Sequence, residues 1–180
     1  MSRIGKKPIT ILEGVEVKID GQKVTVRGPK GELQKEFRPE IGIEIKDKEI
    51  FITPIIDTKK TEALWGLTRA LLFNMIKGVT EGYEKKLDIQ GIGFKAFLEG
   101  GDLLLHVGFT HPIKIKTPQG IKFLIEKNII TISGIDNELL SQTAANIRKV
   151  KPPEPYKGKG IRYLGEVIKK KMGKKAVTTR

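Results

Sequence analysis

The second half of this 180-residue chain repeats the element order of its first half, and no other feature constrains the fold as much. Residues Ile50-Phe51-Ile52-Thr53 through Asp57 to Arg69 fall on Ile129-Ile130-Thr131-Ile132 through Asp136 to Arg148 at one constant offset of 79 residues. Identities are few, chiefly Ile50, Asp57 and Arg69 with their partners, so the repeat is carried by the order of elements more than by the letters.

Within the first repeat, Val15, Val17 and Ile19 alternate with Glu16, Lys18 and Asp20, and Asp20-Gly21 marks a hairpin before Val24 and Val26. Further strands are predicted at Leu33 to Phe37, Ile43 with Ile45, and Ile50 with Ile52. The period then changes: Leu64, Leu67, Leu71, Leu72, Met75 and Val79 recur at helical steps. Asp57 or Thr58 is placed to cap that helix, and Gly78 or Gly82 to end it. The second repeat has strands at Phe94 to Leu98, Leu103 to Val107, Ile113 with Ile115, Ile121 with Phe123 and Ile125, and Ile129 to Ile132. A helix follows from Asp136 to about Lys149 with Leu140, Ala144 and Ile147 on one face. The fold class is α+β: two similar domains from an internal duplication, residues 1–82 and 83–180, each an antiparallel sheet covered by a helix, plus a basic C-terminal tail. The competing topology is a single continuous mixed sheet.

Composition decides what such a chain can do. There is no Cys and there are two His, which excludes disulfides, Cys-ligated metal, iron–sulfur clusters and a cysteine nucleophile. The net charge of +13 is uneven: residues 1–82 hold 15 basic and 12 acidic side chains, residues 83–150 hold 9 and 7, and residues 151–180 hold 10 and 2. Clustered charge of this kind indicates a polyanionic partner rather than general solubility. The opening Met1-Ser2-Arg3 to Pro8 leads into no apolar run, so neither a secretory signal nor a membrane partner is expected.

The strongest motif is Lys151-Pro152-Pro153-Glu154-Pro155-Tyr156-Lys157-Gly158-Lys159-Gly160-Ile161-Arg162-Tyr163. Lys151, Lys157, Lys159 and Arg162 can neutralise phosphates, Tyr156 and Tyr163 can stack on unpaired bases, and Gly158 and Gly160 allow close backbone approach. Lys169, Lys170, Lys171, Lys174 and Lys175 extend the basic tract. Rich in proline and glycine and poor in large apolar residues, this tail should be ordered mainly by what it binds. A solvated charged linker is the plainer alternative.

Gly28-Pro29-Lys30-Gly31 has the spacing of a phosphate-clamping loop but sits between two strands, where a turn is the simpler reading. Gly91-Ile92-Gly93-Phe94-Lys95-Ala96 lacks the third glycine of a dinucleotide loop. An enzyme would have to use His106, His111 and Asp102, and no carboxylate or serine is spaced to orient either imidazole. No catalytic residue, cofactor, metal or small-molecule substrate is therefore expected.

With these residues in view, the chain resembles the family of ribosomal protein six of the large subunit, in its bacterial or organellar form. The resemblance spans Ser2-Arg3-Ile4-Gly5-Lys6-Lys7-Pro8-Ile9, Val26-Arg27-Gly28-Pro29-Lys30-Gly31, Thr68-Arg69-Ala70-Leu71-Leu72 with Asn74-Met75, and Gly91 to Ala96. It continues through Gly108-Phe109-Thr110-His111-Pro112 and, most specifically, Pro155 to Tyr163. Phe94 and Phe109 stand where the family often has tyrosine, and Thr110 where serine is common. The resemblance implies a structural, non-catalytic constituent of the large ribosomal subunit. It would dock its C-terminal domain on ribosomal RNA near the translation-factor-binding region, beside neighbouring ribosomal proteins, on a cytoplasmic or organellar ribosome. A free-standing RNA- or DNA-binding regulator is the alternative, although neither helix carries the excess positive charge of a DNA-reading helix. A metal nuclease would need a carboxylate cluster that the chain lacks.

Overall fold

A computed structural model describes residues 3–56 and 58–173. They form two compact units: one runs to Tyr83 and also holds Gly134–Asn137, and the other holds Glu84–Ser133 and the chain from Glu138 onward.

The first unit contains β1 (Ile9–Thr10), β2 (Glu16–Asp20), β3 (Lys23–Gly28), β4 (Gly31–Glu36), β5 (Ile41–Lys46), β6 (Glu49–Pro54) and α1 (Lys59–Thr80). The strands make two antiparallel sheets, ordered β2-β3-β4 and β1-β6-β5, where one was expected. Arg38-Pro39 separates them, since proline cannot donate to a ladder and forces the chain out of β4 before β5 starts. Val24, Val26, Ile50 and Ile52 lie in the core with Trp65, Leu72, Met75 and Val79 of α1.

Thr58 caps α1, its hydroxyl accepting the Thr61 N–H at 3.1 Å, while Asp57, the other cap candidate, lies outside the described residues. The buried face runs Thr61, Trp65, Thr68, Leu72, Met75 and Val79, and Trp65 Nε1 donates to the Ile52 carbonyl at 2.6 Å. Leu67, placed on the apolar stripe by its letter, is instead 53 % exposed. The seven-residue spacing of Thr61 and Thr68 beside Trp65 and Leu72 defines the face, and two small threonines let the helix approach the sheet where leucine would not fit. Gly78 does not end α1; a Cβ there would overlap the Ile135 carbonyl oxygen, and the helix runs on to Thr80. Gly28-Pro29-Lys30-Gly31 is the β3–β4 turn, with Lys30 N donating to Val79 O at 3.0 Å and Lys30 Nζ reaching the Glu81 carbonyl at the end of α1.

The second unit contains β7 (Tyr83–Gln90), β8 (Lys95–Glu99), β9 (Asp102–His106), β10 (Ile113–Ile115), β11 (Ile121–Glu126), β12 (Ile129–Gly134), α2 (Asn137–Val150) and β13 (Gly160–Tyr163). Its sheets are β8-β9-β10 and β11-β12-β7-β13. Leu140, Ala144 and Ile147 of α2 are fully buried, as their spacing predicts.

The repeat is real, but its offset is not constant. Val24 and Val26 correspond to Leu103 and Leu105, and Thr61, Trp65 and Thr68 to Leu140, Ala144 and Ile147, all at 79 residues. In the strands between them, buried Ile41, Ile50 and Ile52 correspond to buried Ile121, Ile130 and Ile132, at 80. Sliding a strand by one residue exchanges its two faces, so the burial pattern selects 80 there and overrules the direct overlay of Ile50 on Ile129.

Candidate nucleic-acid interface

The segment after α2 was expected to wait for a partner to order it; its described residues, 151–173, are instead built into the second unit. β13 pairs antiparallel with β7, setting Gly160 opposite Gln90, Ile161 opposite Ile89, Arg162 opposite Asp88 and Tyr163 opposite Leu87. Ile161 is fully buried, its N–H donating to the Lys151 carbonyl at 2.7 Å, so one aliphatic side chain and a short ladder anchor the whole motif. Glu154 N donates to Lys159 O at 2.8 Å and Gly158 N to Glu154 O at 2.9 Å, closing the loop on itself. Farther along, Lys171 N donates to Pro155 O at 2.9 Å, which folds the lysine tract back onto that loop.

The candidate residues separate into two groups. Tyr156 (53 % exposed), Lys157, Lys169, Lys170 and Lys171 are open to solvent, and Lys159 is half-buried beside them. Among the described residues no carboxylate lies within ion-pair distance of these five lysines. Lys174 and Lys175 lie outside the described residues.

The second group supports the first. Arg162 is not a free cation: its Nε and Nη2 donate to Asp88 Oδ2 at 3.2 and 3.0 Å. Tyr163 is half-buried, with Lys85 Nζ at 5.7 Å and Arg148 Cζ at 5.8 Å from its ring, so cations already occupy the surroundings where a base was expected to stack. Lys151 places its Nζ 4.8 Å from the Phe109 ring. Gly158 and Gly160 are both buried, at φ +73° and +141°. A Cβ on Gly160 would stand 2.6 Å from Pro152 O and 2.7 Å from Pro153 Cα. Gly160 thus accommodates the protein's own backbone, where the sequence reading had it admitting a phosphate.

Sequence reasoning missed Asp88, Arg148 and Glu166. Arg148, in the last turn of α2, holds Glu166 through two bonds of 3.1 and 2.5 Å, and Glu166 also accepts the Tyr163 N–H at 3.0 Å. The Arg148 guanidinium, helped by that N–H, holds the Glu166 carboxyl below its ordinary range, and Glu166 in turn raises Arg148. The alternation of Leu87 with Ile89 was the available signal for β7; nothing local pointed to Glu166.

The residues weighed for catalysis have structural surroundings. His106 is exposed at the C-terminal end of β9 with its ring 5.8 Å from that of Phe97, His111 is exposed in the connection from β9 to β10, and Asp102 accepts the Thr117 N–H at 3.0 Å. Among the described residues no three His, Cys, Asp or Glu side chains are grouped to hold a metal ion, and no helix is long and apolar enough to cross a membrane.

The model of the family described as ribosomal protein L6 matches residues 11–82 and again residues 90–164, one match to each repeat. A protein named large ribosomal subunit protein uL6 from Persephonella marina is 51 % identical over 97 % of this chain and 98 % of its own length. Large ribosomal subunit protein uL6c of Guillardia theta is 50 % identical over 97 % and 98 %, and the uL6 protein of a Nostoc species 46 % identical over 97 % and 96 %.

Proposed function

The chain belongs to the ribosomal protein L6 family, whose members are structural proteins and not enzymes, and on that premise we propose that it is a constituent of the large ribosomal subunit that grips ribosomal RNA with residues 151–173. The observation that carries this reading is the bond from Lys171 N to Pro155 O, which folds the tract Lys169 to Lys171 back onto the loop that carries Tyr156, Lys157 and Lys159. Neighbouring cations on a preformed surface release condensed counterions together, without first losing the conformational freedom of a flexible arm. Tyr156 supplies the one open aromatic face of the loop.

Gly160, Arg162 and Tyr163 serve the loop by fixing β13 on β7, and Lys151 holds its start through the bond from Ile161 N. Lys174 and Lys175 extend the tract in sequence. The family resemblance adds a position near the translation-factor-binding region, with ribosomal RNA and neighbouring ribosomal proteins as partners and no small-molecule substrate.

Sucrose-gradient sedimentation of a lysate tests the reading. The protein should travel with large ribosomal particles at low salt and be released by high salt in proportion to the phosphate contacts it makes. Lysine-to-glutamine changes at 157, 159 and 169–171 should lower the salt needed for release. A protein that sediments free of particles at low salt would support a free-standing nucleic-acid regulator in its place.

A further inference from the structure

The turn Gly91-Ile92-Gly93, set aside in the sequence because it lacks the third glycine of a dinucleotide loop, has two unlike sides. Its inner side is packed: a Cβ on Gly91 would stand 2.6 Å from the Phe94 ring, and Phe94 N donates to Gly91 O at 3.3 Å. Its outer side presents Ile92 to solvent at 90 % exposure. A single exposed aliphatic side chain is ordinary on a protein surface, so what singles out Ile92 is the set of residues grouped beside it.

Beside Ile92 runs a groove lined by Gln90, Gly91, Asn128, Lys157 and Lys159, so the unused turn and the basic loop face one space. The floor is rigid, because Ile89 N donates to Asn128 O at 2.9 Å and β13 locks β7 from its other edge. Asp88, the acid of this groove, is already satisfied by Arg162 and by Gln90 Nε2 at 2.9 Å. A carboxylate only accepts, so that bond commits one N–H of the Gln90 amide to Asp88 and leaves the amide carbonyl oxygen as an acceptor. The result is a shallow, open slot that groups an aliphatic side chain, two amide residues and two lysines.

We propose that this groove takes one unpaired RNA nucleotide: Ile92 packs on the face of the base, the amides of Gln90 and Asn128 hydrogen-bond its edge, and Lys157 and Lys159 hold the flanking phosphates. The inference rests on the RNA-binding reading above and adds its ligand class. Double-stranded RNA keeps its bases stacked with their pairing edges occupied, so it can offer the lysines its phosphates but cannot fill the slot. Specificity for an unpaired site then comes from the groove, and affinity from the charge around it.

The test titrates the full chain with two fluorescein-labelled probes, a short single-stranded RNA of mixed sequence and a blunt duplex of equal length, by anisotropy at several salt concentrations. Ile92→Ser should weaken single-strand binding about five- to tenfold by removing apolar contact, with the salt slope and the duplex affinity unchanged. Asn128→Ala should act on the same probe in the same direction. The double change Lys157→Gln/Lys159→Gln should lower the slope on the single strand by about one to one and a half. Wild-type single-strand affinity in both Ile92→Ser and Asn128→Ala, or equal losses on the duplex, overturns the nucleotide slot while a reduced lysine slope still supports the basic loop. An unchanged slope in the lysine variant would overturn the basic loop itself.

Discussion

Arg162 and Asp88, 74 residues apart in the chain, face each other across the β13–β7 ladder with the guanidinium 3.0 Å from the carboxylate. The pair is largely shielded, with side-chain exposures of 27 % and 16 %. A charge motif that reads as a uniform run of cations is therefore divided by the fold into a member that holds the loop and members that face outward.

Arg162→Gln should consequently act on stability more than on RNA electrostatics. Removing it leaves Asp88 without its cation and should cost about 1.5–3 kcal/mol in urea unfolding, since charge-assisted bonds are lost from a shielded site. Its effect on the salt dependence of RNA binding should stay well below that of Lys157→Gln. An equal drop in slope from both variants would show that Arg162 leaves Asp88 to contact phosphate.

The two loop glycines should separate. Gly160→Ala forces a Cβ to within 2.6 Å of the Pro152 carbonyl at φ +141°, and should destabilise the chain by about 2 kcal/mol or more. Gly158→Ala meets nothing nearer than Lys170 Cε at 3.9 Å, so only its φ of +73° opposes it, at about 1–2 kcal/mol. Chemical denaturation of both variants checks the order, and a Gly158→Ala protein less stable than Gly160→Ala would contradict this packing.

Glu166 gives the protein a pH-dependent contribution of definite sign. Its carboxyl lies below the ordinary value of 4.5 in the folded chain, so on acidification the unfolded chain takes up the proton first. The stabilisation from the Arg148 pair is therefore full above about 4.5 and is lost as pH falls through the lower folded value. Urea unfolding of wild type and Glu166→Gln should show a constant difference near neutrality that narrows on acidification. A difference that persists unchanged as the pH is taken well below 4.5 would contradict the pairing.

We propose that the two repeats are separable folding units divided near residues 82 and 83. Residues 1–82 expressed alone should unfold cooperatively, but less stably than the same unit in the whole chain, because the fragment lacks Ile135, which packs against the first unit's core. A fragment without a cooperative transition by circular dichroism would refute separability.

Much of the fold was legible because the elements are regular. Val24 and Val26 alternate with polar neighbours, and Leu140, Ala144 and Ile147 recur at helical steps, so burial there follows from local period alone. Leu67 misled because hydrophobicity was counted without geometry: the face it was assigned to is occupied by Thr61 and Thr68. The offset of 79 hid a one-residue slip in the strands, which few identities could reveal but burial does. Of the candidate site, the exposed lysines and Tyr156 were readable from density and composition; Arg162 and Tyr163 were assigned to the RNA surface because their partners lie far along the chain, and Gly160 because its contact with Pro152 and Pro153 exists only once the loop closes.

By itself the sequence determined the α+β class, the duplication, the absence of cysteine chemistry and the concentration of positive charge after residue 150, because each depends on local pattern or on counting. Only the tertiary structure decided which of those charges remain free. Ion pairing depends on which side chains a ladder sets opposite each other, and β7 meets β13 across five intervening strands and α2. The same pairing buries Ile161, confines Gly160 against Pro152 and Pro153, and brings the Gly91-Ile92-Gly93 turn beside Lys157 and Lys159.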